Sequence, residues 1–224
     1  VDVTPWGEKA EEEKDLEFYN PWDYVETIEA KSAENGVYAV APNGKLVADI
    51  TTIPDGIKTE AVAVALIVND APTPQRIMIE KTQSYNETNF YWGQKLEGKD
   101  VAGITEISTG SGYLPKADGT YQSTPNLSSD YTTWTSGALS DFNGKANTTA
   151  IINAYTEHSV NMNVRDMCNV LQTFNAGTYG SNQGFTDWYI PAEGQLALIY
   201  LNKTAINEAL TAIGGTTFSN DRYW

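Results

Sequence analysis

The run Ala61–Asn69, AVAVALIVN, is apolar at every position before its closing asparagine. It has the length of a strand and no alternation, so it is expected as a central strand buried on both faces. Pro72 and Pro74 stop it. Arg76–Lys81, RIMIEK, alternates apolar and polar and is expected as its antiparallel partner.

Other punctuation sets the frame around that pair. VYAVAP, Asn43-Gly44 and KLVADI form a hairpin signal, and Asp55-Gly56 marks a further turn. NFYWG, Asn89–Gly93, is a short strand candidate. Residues 97–146 are rich in Gly, Ser, Thr, Asp and Asn with scattered aromatics, and read as long irregular loop. An irregular stretch of that length is uncommon in a compact domain unless it has a function. Asn147-Thr148 is expected to cap a helix that places Ala150, Ile151, Ala154 and Tyr155 on one face. VRDMCNVLQTF is expected as a second, burying Val164, Met167, Cys168 and Leu171. Trp188–Ile190 is a short strand candidate ended by Pro191. Glu193–Leu201 is expected as a helix with Leu196, Ile199 and Tyr200 inward. A further helix, Lys203–Ile213, is closed by Gly214-Gly215. These elements make an α+β fold of short strands, helical regions and long ordered loops.

Composition matters chiefly for what it excludes. The net charge of −15 gives no electrostatic footprint for a phosphate backbone, so nucleic acid is not an expected partner. The acid is concentrated: residues 1–35 hold 11 acidic and 3 basic side chains, a net of −8, leaving −7 for residues 36–224. Residues 1–35 are therefore expected as an acidic arm or linker, with aromatics from Phe18 to Tyr24 packing on the body. No stretch is apolar and long enough to span a membrane. A lone cysteine, Cys168, allows no internal disulfide.

The order of motifs resembles a family. A strand pair of the form AVAVALIVND…RIMIEK precedes Tyr91-Trp92-Gly93. DFNGKANTTAII follows at Asp141–Ile152, then the segment with Cys168, then DWYIPAEGQLALIYLNKTAINEALTAIGG. This resembles C-type-lectin-like domains of Bacteroidetes and phage, close to the formylglycine-generating-enzyme fold and including the variable proteins of diversity-generating retroelements. The resemblance covers residues 36–224 and implies a C-type-lectin-like fold: a small antiparallel sheet, two main helical regions and long loops. It also implies that further strands follow the Tyr223-Trp224 pair, so that the chain lacks the family's last strands. In retroelement-linked members those strands carry the ligand-facing residues.

Candidate chemistry is sparse. Cys168, on the inner face of a helix, reads as a buried small hydrophobe, and the oxidative enzymes of related fold need a cysteine pair. His158 reads as a last-turn helix histidine. One His and one Cys make no credible zinc site. Asp141–Asn147 alternates oxygen ligands but lacks the spacing and closing glutamate of a calcium loop, and a turn with a helix cap explains it. Gly177–Gly184 lacks the G-K-[ST] end of a phosphate cradle. No catalytic residue, cofactor or metal is expected. Trp92, Tyr113, Tyr121, Tyr131 and Trp134 could form an aromatic binding surface, with Trp92 and Trp134 expected to pin loops instead. The ligand-binding candidates are Asn220, Asp221, Arg222, Tyr223, Tyr121 and Tyr131.

The expected function is non-enzymatic: a ligand-binding or adhesive display domain, receptor-binding in character, on a bacterial surface or phage virion. Its partner would be a protein or glycan. The alternative is a structural or assembly protein of a virion or appendage, completed by strand pairing with another chain.

Overall fold

The computed structural model describes residues 20–82, 96, 101, 130–135, 138–163, 165–177 and 184–218. Within them the fold is α+β, with a five-stranded antiparallel sheet and four α-helices. The strands are β1 (Thr27–Ile28), β2 (Gly36–Val40), β3 (Leu46–Val47), β4 (Ala63–Val68) and β5 (Gln75–Glu80). Their spatial order is β1-β3-β2-β4-β5. The helices are α1 (Gly144–Glu157), α2 (Met167–Asn175), α3 (Glu193–Leu201) and α4 (Lys203–Ala212).

All six residues of β4 are buried, and the strand lies between β2 and β5, as its unbroken apolar run requires. Its register with β5 runs from Ala63 opposite Glu80 to Val68 opposite Gln75. Val64, Leu66 and Val68 face one core, shared with Ile77 and Ile79 of β5 and with Leu198, Ile206, Leu210 and Ile213 from α3 and α4. Ala63, Ala65 and Ile67 face a second cluster with Val40, Leu46 and Phe185. Fully burying a Val, Leu or Ile side chain contributes roughly 1.5–3 kcal/mol, so this strand anchors both faces of the sheet.

The β2–β3 hairpin forms, but around one left-handed residue rather than a two-residue Asn-Gly loop. Gly44 N bonds Ala41 O at 2.8 Å, and Gly44 alone in the turn has positive φ, +82°. A single glycine in this conformation is how a longer hairpin loop returns to register.

Of the expected acidic arm, residues 1–19 lie outside the described residues. From Asn20 onward the chain joins the body, although of the aromatics expected to pack there Tyr24 is 74% exposed, and Phe18 and Tyr19 lie outside the described residues. Trp22 is buried in the main core and donates its indole N–H to Glu60 at 2.8 Å, while β1 pairs with β3. The expected strand Asn89–Gly93 also lies outside the described residues, as does most of 97–129. The described part of the long loop region holds two short 3-10 turns, Tyr131–Thr133 and Ala138–Ser140. Trp134 is buried in the core, in the pinning role expected of it.

Three local expectations need correction. First, α1 begins at Gly144, not at an Asn147-Thr148 cap. Asp141 makes the turn that starts it, accepting from Asn143 N at 2.8 Å and from the Asn147 amide at 2.6 Å. Thr148 is a buried residue inside the helix. Second, Trp188–Ile190 joins no strand ladder. Third, α3 turns Gly194, Gln195, Ala197 and Leu198 inward; Ile199 packs against the main core as expected, while Leu196 is half-buried and Tyr200 is 47% exposed. The helix is apolar almost all round, so composition does not choose its face. The small residues do, because they admit neighbouring backbone. A Cβ on Gly194 would lie 2.5 Å from Leu139 O and 2.7 Å from Asp141 O.

In α2, Cys168 is fully buried as expected, with Phe174, whereas Met167 and Leu171 are half-buried. Val164 lies outside the described residues. The Gly214-Gly215 stop closes α4 by paired bonds: Gly215 N to Leu210 O at 2.7 Å and Gly214 N to Thr211 O at 3.1 Å. Gly214 has φ +70°, the left-handed conformation this helix ending requires.

Candidate functional site

The site is built where α1, α2 and the chain leading into α3 meet. Gly144 has no side chain to hold that chain away. A Cβ there would sit 2.4 Å from Gln195 Oε1 and 2.6 Å from both Ala192 N and Ile190 O. The first turn of α1 therefore lies directly against residues 190–192. Gln195 fills the junction. Its Oε1 accepts from Gly144 N at 3.2 Å and Ala192 N at 3.0 Å, and its Nε2 donates to Gln75 at 2.8 Å and to the Tyr189 hydroxyl at 3.2 Å. This buried amide ties α1, α3 and β5 together with its hydrogen-bonding capacity used.

The backbone of Trp188 and of Ile190 is held by helix side chains in place of a strand. Asn175 at the end of α2 accepts from Trp188 N at 3.0 Å and donates to Trp188 O at 2.9 Å. Two residues on, Thr148 of α1 accepts from Ile190 N at 3.0 Å and donates to Ile190 O at 3.3 Å. Backbone groups that would need a ladder are thus satisfied by two helices. Between those helices and this stretch lies a cleft of about 170 Å³, lined by Lys145, Thr148, Thr149, Ile152, Leu171, Gln172, Asn175, Asp187, Trp188 and Tyr189.

The aromatic wall is fixed from behind. Trp188 packs edge-to-face on Phe174 (5.9 Å, 65°) and Phe185 (6.2 Å, 87°). Phe185 in turn packs against the second face of the sheet. At the mouth, Lys145 donates to Asp187 at 2.8 Å, with their side chains 64% and 68% exposed. The hydrogen bond and charge of Asp187 hold the Lys145 ammonium above its ordinary pKa. Burial pushes the Tyr189 hydroxyl up. The cleft thus presents a closed ion pair, an exposed amide and an aromatic-aliphatic wall, groups suited to holding a neutral polar ligand. At about 170 Å³ it is well below the roughly 300–1,000 Å³ of sites for drug-sized ligands and cofactors.

Of the six ligand-binding candidates read from sequence, Tyr121, Asn220, Asp221, Arg222 and Tyr223 lie outside the described residues. Tyr131 is half-buried. Its hydroxyl donates to Asp70 at 3.0 Å, and its ring packs edge-on to Trp134 at 6.2 Å. Asp70 also accepts from Asn35 at 2.6 Å, so Tyr131 fastens residues 130–135 to the end of β4. It is not among the residues lining the cleft. Lys145 and Asp187 lie 42 residues apart, so no local motif in the sequence joins them.

The remaining candidates have structural surroundings. His158 caps the C-terminus of α1. Burial pushes the Cys168 thiol up to about 11, with the Asp166 charge adding to the effect. Among the described residues no three His, Cys, Asp or Glu side chains are grouped to hold a metal, and no helix is long and apolar enough to cross a membrane. Comparison with protein-family models, with curated proteins and with solved structures found no match to this chain.

Proposed function

We propose that this chain is a non-enzymatic ligand-binding or adhesive display domain of the C-type-lectin-like type, acting on a bacterial surface or phage virion. One observation carries the reading: a cleft with an aromatic wall and exposed polar groups is mounted on a cross-tied α+β frame. Trp188 is braced by Phe174, Phe185 and Asn175, so the wall is ordered before any ligand arrives. Pre-ordering lowers the entropic cost of binding. The Lys145–Asp187 ion pair at the mouth, closed at 2.8 Å, is a self-neutralised polar group. The motif order from AVAVALIVND to the Gly214-Gly215 stop supports the lectin-like fold and the family resemblance.

The test is retention of the full chain on arrays of surface glycans and surface proteins, with Trp188→Ala and Gln172→Ala alongside. The proposal expects retention that both variants reduce at least tenfold. No retention on either array would sink it.

A second reading, assembly through strand pairing with another chain, draws on β5. It is one of the two edge strands of the described sheet, with β1 at the other edge. Light scattering over a concentration series tests it: a concentration-dependent multimer supports pairing, and a monomer throughout removes homotypic pairing.

A further inference from the structure

We propose that Asn43 is a site of self-modification. In the folded chain the Asn43-Gly44 turn deamidates, while the fold holds the two other Asn-Gly pairs, Asn35-Gly36 and Asn143-Gly144, from the same reaction. Water is the co-reactant and ammonia the product released.

The chemistry is intramolecular. The Gly44 peptide nitrogen bonds Asn43 Cγ, the Cγ–Nδ2 bond breaks, and the Gly44 N–H proton leaves with Nδ2 as ammonia. Water then opens the five-membered imide at either carbonyl, giving an aspartyl or an isoaspartyl linkage at position 43. One water is consumed, one ammonia is released and one carboxylate is gained, and nothing is oxidised or reduced. Glycine after asparagine suits this step because it has no Cβ to obstruct the approach of its nitrogen. All three pairs share that advantage. The fold decides among them, because the attack needs nucleophile and carbon to reach one geometry.

At Asn43 the turn is prepared for it. Asn43, Gly44 and Lys45 are all exposed. Asn43 Oδ1 accepts from Lys45 N at 3.0 Å, which folds the side chain back over the Gly44 peptide. Attack at Cγ places negative charge on that oxygen, and a backbone N–H already aimed at it stabilises the charge. The bond from Gly44 N to Ala41 O at 2.8 Å has to open first. It lies at an exposed hairpin tip, where local opening costs far less than global unfolding.

The other two pairs are restrained. Asn35 Oδ1 is also polarised, accepting from Asn69 N at 2.6 Å, but its Nδ2 is tied to Asp70 at 2.6 Å. Gly36 is the first residue of β2, registered opposite Ile67, so its peptide is not free to turn onto the Asn35 side chain. At Asn143 the nucleophile itself is enclosed. Gly144 is buried and its N–H donates to Gln195 at 3.2 Å. A Cβ there would lie 2.6 Å from Ala192 N and from Ile190 O, which leaves that peptide no room to rotate.

The site has neighbours that feel the change. A Cβ on Gly44 would stand 4.0 Å from Phe185, the ring that braces Trp188. The new carboxylate arises two residues from Lys45, which pairs with Glu29 at 3.4 Å. It adds one negative charge to a chain already at −15.

The test incubates the full folded chain at pH 8 in isotopically heavy water oxygen and reads the digested peptides by mass spectrometry over time. A parallel sample is held in guanidinium. In the folded chain Asn43 should take up the label, with Asn35 and Asn143 at least about tenfold slower. In guanidinium the three rates should converge to within about threefold, because each is Asn followed by Gly. Asn43→Gln, at an exposed position, should remove the fast phase and leave the other two rates unchanged. Equal labelling of Asn35 or Asn143 in the folded chain overturns the assignment. So does an Asn43 that stays unlabelled when folded while it converts in guanidinium. Persistence of the folded order in guanidinium also overturns it, because the order would then come from neighbouring sequence and not from the fold.

Discussion

The side-chain amide of Asn175 bonds both backbone groups of Trp188, accepting from its N–H at 3.0 Å and donating to its carbonyl at 2.9 Å. One residue at the end of α2 thereby does for the cleft wall what a neighbouring strand would do. Asn175→Ala leaves a half-buried peptide group without that partner, and each orphaned group costs about 1–3 kcal/mol when water cannot replace it. Partial solvent access puts the expected loss at about 1–3 kcal/mol in total, read as a lower urea midpoint. Tryptophan emission should also shift in the folded variant, because the Trp188 ring loses its fixed seat.

Two glycines let neighbouring backbone approach the first turns of α1 and α3. A Cβ at Gly144 or Gly194 would lie within 2.7 Å of backbone atoms of a neighbouring segment. Gly144→Ala and Gly194→Ala should each destabilise by about 2 kcal/mol or more, the upper part of the range for overpacking. Gly56 has nothing within 4 Å of the same added atom. Gly56→Ala should therefore change stability by less than about 0.5 kcal/mol. Chemical denaturation of the three variants separates these close approaches from a general effect of losing glycine.

Cys168 is wholly buried, and its thiol is pushed up to about 11 by burial and then by Asp166. A thiol so placed carries little thiolate near neutral pH and meets no reagent. Ellman's reagent at pH 8 should leave the folded chain unlabelled for hours and label one thiol per chain in guanidinium. Rapid labelling without denaturant would contradict the packing of α2.

Alkaline stability should report two opposing groups. Burial, then the hydrogen bond to Asp166, raises Tyr155 above its ordinary value of 10.0. The fold keeps this proton where the unfolded chain would release it. That contribution is therefore complete below pH 10 and lost as pH rises toward the folded value. Lys81 has the opposite sign. Burial lowers its pKa from 10.5, so stability increases as pH climbs from the folded value toward 10.5. Tyr155→Phe should flatten the fall above pH 10, and Lys81→Met should flatten the rise below 10.5. Urea midpoints between pH 7 and 11 measure both slopes.

What was legible in the sequence was local. The unbroken apolar β4, its alternating partner, the bounds of α3 and the Gly214-Gly215 stop each announce themselves over a few residues. What was not legible depends on distant partners. Asn147-Thr148 looks like a cap, yet Thr148 is spent on Ile190, and the start of α1 is set by Asp141 and Gln195. Trp188–Ile190 reads as a strand in sequence, but Asn175 and Thr148 take the backbone bonds of Trp188 and Ile190. The cleft was invisible for the same reason: Lys145 and Asp187 meet only after α1 packs against the chain entering α3.

The central claim is that ligand is held between α1 and α2 against Trp188. Hydrogen exchange of the full chain, with and without the ligand retained on the arrays, tests it most directly. The account predicts slowed exchange at Lys145–Ile152, Leu171–Asn175 and Asp187–Tyr189. Protection confined to other segments, with these three unchanged at saturating ligand, would contradict it.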